Sequence, residues 1–254
     1  MDEVNGSQFT EFNLGGVVIP PEEIAKAETL RITAIEGPDV SKDVLLEINA
    51  CGLVNSQRRK NDGCTIIGSQ LQNEQGEVQN DFVMNQDDHG IGSRHLIIKY
   101  NMDDRKYYMR DLGDGSGTFV RLDKPLELRN GFIVSFGYSH MAVNIFGDAP
   151  NGTYSSYQAN SRLQLKFIDG PKTDQSFLFS ADQKVQIGRM PNCDIRFDDT
   201  QLSRVHCSIE NVDGRWVLTD GDGSKPSTNG TWLFVDELFQ IYDEMVFKAG
   251  QTLF

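Results

Sequence analysis

Residues 30–38 read LRITAIEGP, and residues 163–171 read LQLKFIDGP. In both stretches apolar and polar residues alternate. Leu30, Ile32 and Ala34 share one face of the first, as do Leu163, Leu165 and Phe167 of the second. This is the period of a strand buried on one side, ended by a Gly-Pro turn. The correspondence continues along the chain. Ile67-Gly68 answers Ile187-Gly188, His95 answers His206, and Gly117-Thr118-Phe119 answers Gly230-Thr231-Trp232. The order is kept and only the spacings change, so one structural plan occurs twice.

Further short β-type segments fill both copies. HLIIKY (95–100), KYYMRDL (106–112) and GFIVSF (131–136) lie in the first; SFLF (176–179), VQIG (185–188), RWVLTD (215–220) and EMVF (244–247) lie in the second. Gly, Asn and Asp clusters separate them. Many short strands at turn-marked intervals predict an all-β chain of two tandem β-sandwiches. One short helix is expected after Pro20-Pro21, where Glu22 and Glu23 suit a first turn. The boundaries expected from sequence are a tail at 1–28, a first domain at 29–147, a linker at 148–161 and a second domain at 162–254. The linker segment DAPNGTYSSYQANS is rich in Gly, Ser and Asn, a composition of flexible connections.

Composition narrows the function. Hydrophobic residues make up 38% of the 254, enough for packed cores, and the formal net charge is −13. Such a balance argues against nucleic acid or anionic membrane as partner, since both are held mainly by Lys and Arg. A single phosphate group needs only a local pocket with one or two Arg. Cys51, Cys64, Cys193 and Cys207 form no C-x-x-C pair and read as free thiols of a reducing compartment. The first residues, MDEVNGSQFTEF, lack a basic and an apolar region, and no apolar run approaches the ~20 residues of a span. Cytoplasm or nucleus is the expected location.

Three motifs of the second copy carry the functional reading. Gly188-Arg189 ends a strand, Ser203-Arg204-Val205-His206 precedes another, and Thr228-Asn229-Gly230-Thr231 occupies a turn before Trp232. A phosphate dianion calls for a guanidinium fork, hydroxyl donors and backbone N–H groups, and these loops supply them. In order and spacing, behind the LQLKFIDGP strand, the motifs resemble the forkhead-associated (FHA) family over nearly all of 162–254. The resemblance implies a phosphothreonine-peptide-binding module, hence an adaptor or scaffold and not an enzyme. It implies that Arg189 and Ser203 hold the phosphate, with Arg204 and Thr228 beside them. Asn229 would align the peptide backbone, Gly188 and Gly230 would permit tight turns, and His206 would brace the loop from beneath. It also implies a niche for the threonine methyl, and so preference over phosphoserine. Nothing in the sequence asks for a cofactor.

Other chemistry fits less well. On an extended segment Ser203 and His206 would stand roughly 10 Å apart on opposite faces, so a nucleophile–base pair needs a turn and a third group. Asp220-Gly221-Asp222-Gly223-Ser224 begins like a calcium loop, but Lys225 and Thr231 stand where Gly and Glu belong. No metal site is expected.

The first copy keeps the scaffold and loses the pocket. Ser69 stands where the guanidinium belongs, Gly92 replaces the phosphate-binding Ser, and Gly115-Ser116 replace the Thr-Asn pair. Ser93 and Arg94 are present one position late. This copy also carries two insertions, one acidic and amide-rich (70–90), the other holding Arg58-Arg59-Lys60. Both are candidate surfaces for a phosphate-independent protein partner. The alternative for the whole chain is a structural assembly protein whose two domains both bind without phosphate.

Overall fold

The alternating segments become strands Leu30–Thr33 and Arg162–Asp169, with Ile32, Leu163, Leu165 and Phe167 turned inward. The computed structural model describes residues 17–37, 44–84, 89–147 and 161–254. It is nearly all β. The helix expected after Pro20 is the single turn Pro21–Ile24, with proline at its start.

Two compact units divide the chain. The first comprises 1–117 with 236–241 and 249–254; the second comprises 118–235 with 242–248. This differs from the contiguous 29–147 and 162–254 expected from sequence. Within the second unit, Ser139–Phe146 pairs antiparallel along the length of Arg162–Asp169, which carries Ser176–Ser180 on its other side. Ile133–Phe136 joins Ser139–Phe146 to Trp232–Phe234, and Trp232–Phe234 pairs with Thr118–Arg121. Opposite stand Ile195–Arg196, Val185–Gly188, Cys207–Val212, Arg215–Asp220 and Leu126–Glu127. The closing strands of the first sequence copy thus complete the second unit. In the first unit the reverse holds. Ile35 donates its N–H to Leu253 O (2.7 Å), and Phe239–Gln240 pairs with Lys106–Asp111 beside Leu96–Asn101, Cys64–Gly68 and Phe82–Val83.

The physical reason lies in the repeat. The first strands of both copies present the same alternation, so a closing strand from either copy meets a complementary face. Ser139–Phe146 buries Ser139, Met141, Val143 and Ile145 at every second position, matching Leu163, Leu165 and Phe167. Phe136, Phe167 and Phe197 meet edge to face at 5.6–6.3 Å between ring centres, filling the core under the loops.

Other expectations change as well. Residues 148–160 of the expected linker lie outside the described residues, and Ser161 is buried. The described part of the 1–28 tail is docked on the first unit. Ile19 is buried, and Glu23 accepts from Tyr100 Oη (2.8 Å) and Arg105 Nε (2.9 Å), contacts that hold its carboxyl below the usual range. Of the charges in the two insertions, Arg58 and Asp81 are turned inward, while Arg59, Lys60, Glu74 and Glu77 are exposed. The Arg58 side chain is 6% exposed and pairs with Asp62 (2.8 Å) and with Asp81 (2.9 Å) of the acidic insertion. Asp81 also accepts from Ile66 N (2.7 Å) and Ser56 Oγ, so this Arg58–Asp81 pair is satisfied inside the unit.

Candidate functional site

The second unit's loops leave its strand ends at one edge. Val185–Gly188 runs parallel to Ile195–Arg196 and antiparallel to Cys207–Val212, which brings the 189–190 and 203–206 backbones together. Arg189 N donates to Ser203 O (3.2 Å) and Met190 N to Arg204 O (3.1 Å). Gly188 is needed for this approach, since a Cβ there would overlap the Arg204 carbonyl oxygen.

His206 organises the turn from beneath. It is fully buried; Ser203 N donates to its Nδ1 (3.2 Å), so Nε2 carries the proton and donates to Gly230 O (3.1 Å). Burial lowers its pKa and favours this neutral form, with the Gly230 carbonyl acting the other way. Both ring nitrogens are occupied by backbone groups, so the imidazole is not placed to take a proton from Ser203 Oγ. The turn separating Ser203 and His206 is real, but it serves bracing.

Above this frame the expected side chains converge. Arg189, Ser203, Arg204, Thr228 and Asn229 line one cleft of about 510 Å³. Thr228 N donates to Ser203 Oγ (2.9 Å), and the Ser203 and Thr228 hydroxyl oxygens lie 3.3 Å apart. Asn229 Nδ2 donates to Gln201 O (2.9 Å), which fixes the amide while leaving its carbonyl as an acceptor. Arg189 and Arg204 are exposed and form no ion pair among the described residues.

Sequence reasoning missed the support of this loop. The Asp220 carboxylate accepts from Ser227 N (2.9 Å), Ser227 Oγ (2.7 Å) and Thr231 Oγ1 (2.6 Å), and Ser227 Oγ accepts from Gly230 N (3.0 Å). The signal was an acidic residue ending the corresponding strand of both copies, Asp111 and Asp220. Asp222 accepts from Ser224 Oγ (2.6 Å) and from the Ser224 and Lys225 N–H groups, bonds that pull its pKa down to about 2. The acidic residues that mimic a calcium loop therefore serve the turn itself. Lys225 also lines the cleft, a cation the sequence reading did not assign.

A family model described as FHA domain matches residues 65–137 and 185–248, together just over half of the chain. The chain belongs to the FHA domain family. No curated protein matches the sequence. Among solved structures, FHA-1 of Rv1747 from Mycobacterium tuberculosis is 27% identical over 32% of this chain and 84% of its own, with a TM-score of 0.21, too low to bear on the fold. FHA domains as a family are binding modules for phosphothreonine-containing proteins. Among the described residues no helix is long and apolar enough to cross a membrane.

The first FHA unit repeats the frame. Ser69 N donates to Gly92 O (2.9 Å), Gln70 N to Ser93 O (3.3 Å), and Gly92 N to His95 Nδ1 (3.2 Å). Position by position, Ser69 replaces Arg189, Gly92 replaces Ser203 and Ser93 replaces Arg204. A carboxylate occupies the space over Gly92. Asp114 Oδ2 accepts from Ser93 Oγ (2.6 Å) and Arg94 N (3.3 Å), and the serine bond above all lowers its pKa. A Cβ on Gly92 would overlap the Asp114 carboxyl carbon and backbone. Ser93 thus bonds a resident anion.

Proposed function

We propose that the second FHA unit reads a phosphothreonine peptide and that the protein works as a phosphorylation-dependent adaptor. Arg189 and Ser203 hold the phosphate, Arg204 and Thr228 flank it, and Asn229 aligns the peptide backbone. The observation that carries this reading is one cleft lined by Arg189, Arg204, Ser203 and Thr228, whose two arginines form no ion pair among the described residues, over a loop fixed by His206. Such a cleft suits a dianion because charge-assisted bonds are directional and strong, and loops on a rigid sandwich hold them in place. The first unit, with Asp114 in the corresponding space, takes part through a phosphate-independent protein surface.

Arg189→Ala tests the assignment. Loss of one charge-assisted bond, about 1.5–3 kcal/mol, corresponds to roughly 10- to 150-fold in affinity. Calorimetric titration with a phosphothreonine peptide should show that loss while the melting temperature stays put. Unchanged affinity would remove Arg189 from the site.

A further inference from the structure

A sheet of the second unit ends on an open edge. Ser176–Ser180 pairs with Arg162–Asp169 on one side and, among the described residues, with no strand on the other. Its sequence, Ser-Phe-Leu-Phe-Ser, has neither charge nor proline, the features that usually blunt an edge. Leu178 is 58% exposed, and Phe177 is only half-buried although its ring meets Phe167 edge to face at 6.0 Å. The ladder decides which backbone groups are free. Phe167 N donates to Gln175 O (2.9 Å), so at alternate positions Phe177 and Phe179 bond Arg162–Asp169, and Ser176, Leu178 and Ser180 aim their backbone groups outward. Gln183 caps one of these positions: its Oε1 accepts from Ser180 N (2.7 Å) and its backbone N–H donates to Ser180 O (3.0 Å). Ser176 and Leu178 have no such cap among the described residues. The strand also reads the same in both directions, and so do the charges around it. Lys172 and Asp174 precede it, Asp182 and Lys184 follow, and 172–184 is neutral in a chain of net charge −13. A seam here brings no net like charge together.

We propose that this edge binds the same edge of a second copy of the chain, antiparallel about a two-fold axis through Leu178. In that register Leu178 faces its own copy on the outer face, each Phe177 faces the partner's Phe179 on the inner face, and Ser176 meets the partner's Ser180 in place of its Gln183 cap. The two aromatic pairs extend the Phe167–Phe177 packing across the seam. A slip of one residue would turn the inner face outward, and a slip of two would set Phe179 against Gln175 or Phe177 against Ala181. Only the register about Leu178 matches every residue to its own kind. A five-residue seam falls short of the roughly 1,200–2,000 Å² of stable interfaces, so the pair is transient and concentration-dependent.

Sedimentation velocity on the full chain tests this, over about 1 µM to about 500 µM, the range of weak association. The wild type should pass from monomer towards dimer. Leu178→Lys and Leu178→Glu each set like charges against each other at the axis, so each alone should stay monomeric. Because Leu178 is exposed, both variants should melt near the wild-type temperature. Mixed in equal amounts they should restore the dimer, since a lysine then faces a glutamate across the seam. A wild type that stays monomeric throughout, or single variants that dimerise as it does, would overturn the seam. A mixture that stays monomeric would overturn the two-fold register, and the proposal with it.

Discussion

The two FHA units share one backbone frame and hold opposite contents in it. In each, a glycine ends a strand and the next residue donates its N–H across to the loop before a buried histidine: Ser69 to Gly92 in the first, Arg189 to Ser203 in the second. In each, that loop's N–H meets the histidine Nδ1 at 3.2 Å. Over this frame the second unit displays guanidinium groups and hydroxyls facing an open cleft, whereas the first displays the Asp114 carboxylate. The frame is therefore not the ligand site. Both units share it, and they differ in the side chains above it.

The largest effect should follow from cutting the chain where the sequence suggests. The second unit contains 118–146, so a fragment of 162–254 loses the partner strand of Arg162–Asp169 and leaves Leu163, Leu165 and Phe167 uncovered. At about 1.5–3 kcal/mol per buried side chain, this approaches or exceeds a domain's total of about 5–15 kcal/mol once Met141, Val143 and Ile145 are counted as well. Circular dichroism should show the fragment without a cooperative melt. A fragment that melts like the full chain would show that each sequence copy closes on itself.

A smaller effect sharpens the contrast between the sites. Gly92→Ser puts a Cβ where Asp114 sits and should destabilise the chain by about 1–3 kcal/mol. Asp114→Gly removes the carboxyl carbon but not the Asp114 backbone that meets the same Cβ, so it should relieve only part of the Gly92→Ser cost, a coupling that a double-mutant cycle reads directly. Additive costs would mean that the carboxyl contributes nothing to the overlap.

Smaller still is the pH term of the second unit. The folded pKa of His206 is depressed, so its contribution is complete above the ordinary unfolded value of about 6.5 and is lost as pH falls through that value towards the folded one. The melting temperature should therefore decline on acidification below about pH 6.5, and His206→Gln should flatten the decline. A variant that keeps the wild-type slope would assign the effect to other groups.

Much of this was legible in the sequence, and the rest was hidden for identifiable reasons. The β class, the repeat and the second unit's motifs are local patterns: alternation in LQLKFIDGP, Gly188-Arg189, and Ser203 three residues before His206. The origin of the closing strands was not legible, because two copies with the same alternation accept each other's strands equally well. The Arg58–Asp81 pair joins residues 23 apart across two insertions, and no period links them. Asp114 reads as one more acidic turn residue until Gly92 is seen beneath it. Asp220 and Ser227 were missed because a six-residue loop separates them, whereas Thr228-Asn229-Gly230 is contiguous.

The central claim is that one frame binds phosphothreonine and its copy does not, and stoichiometry tests it most directly. The full chain titrated by calorimetry with a phosphothreonine peptide should bind one equivalent. That single event should weaken roughly 10- to 150-fold in Arg189→Ala and be unaffected by Ser69→Ala. Two equivalents, or one equivalent whose affinity Arg189→Ala leaves unchanged, would contradict the account.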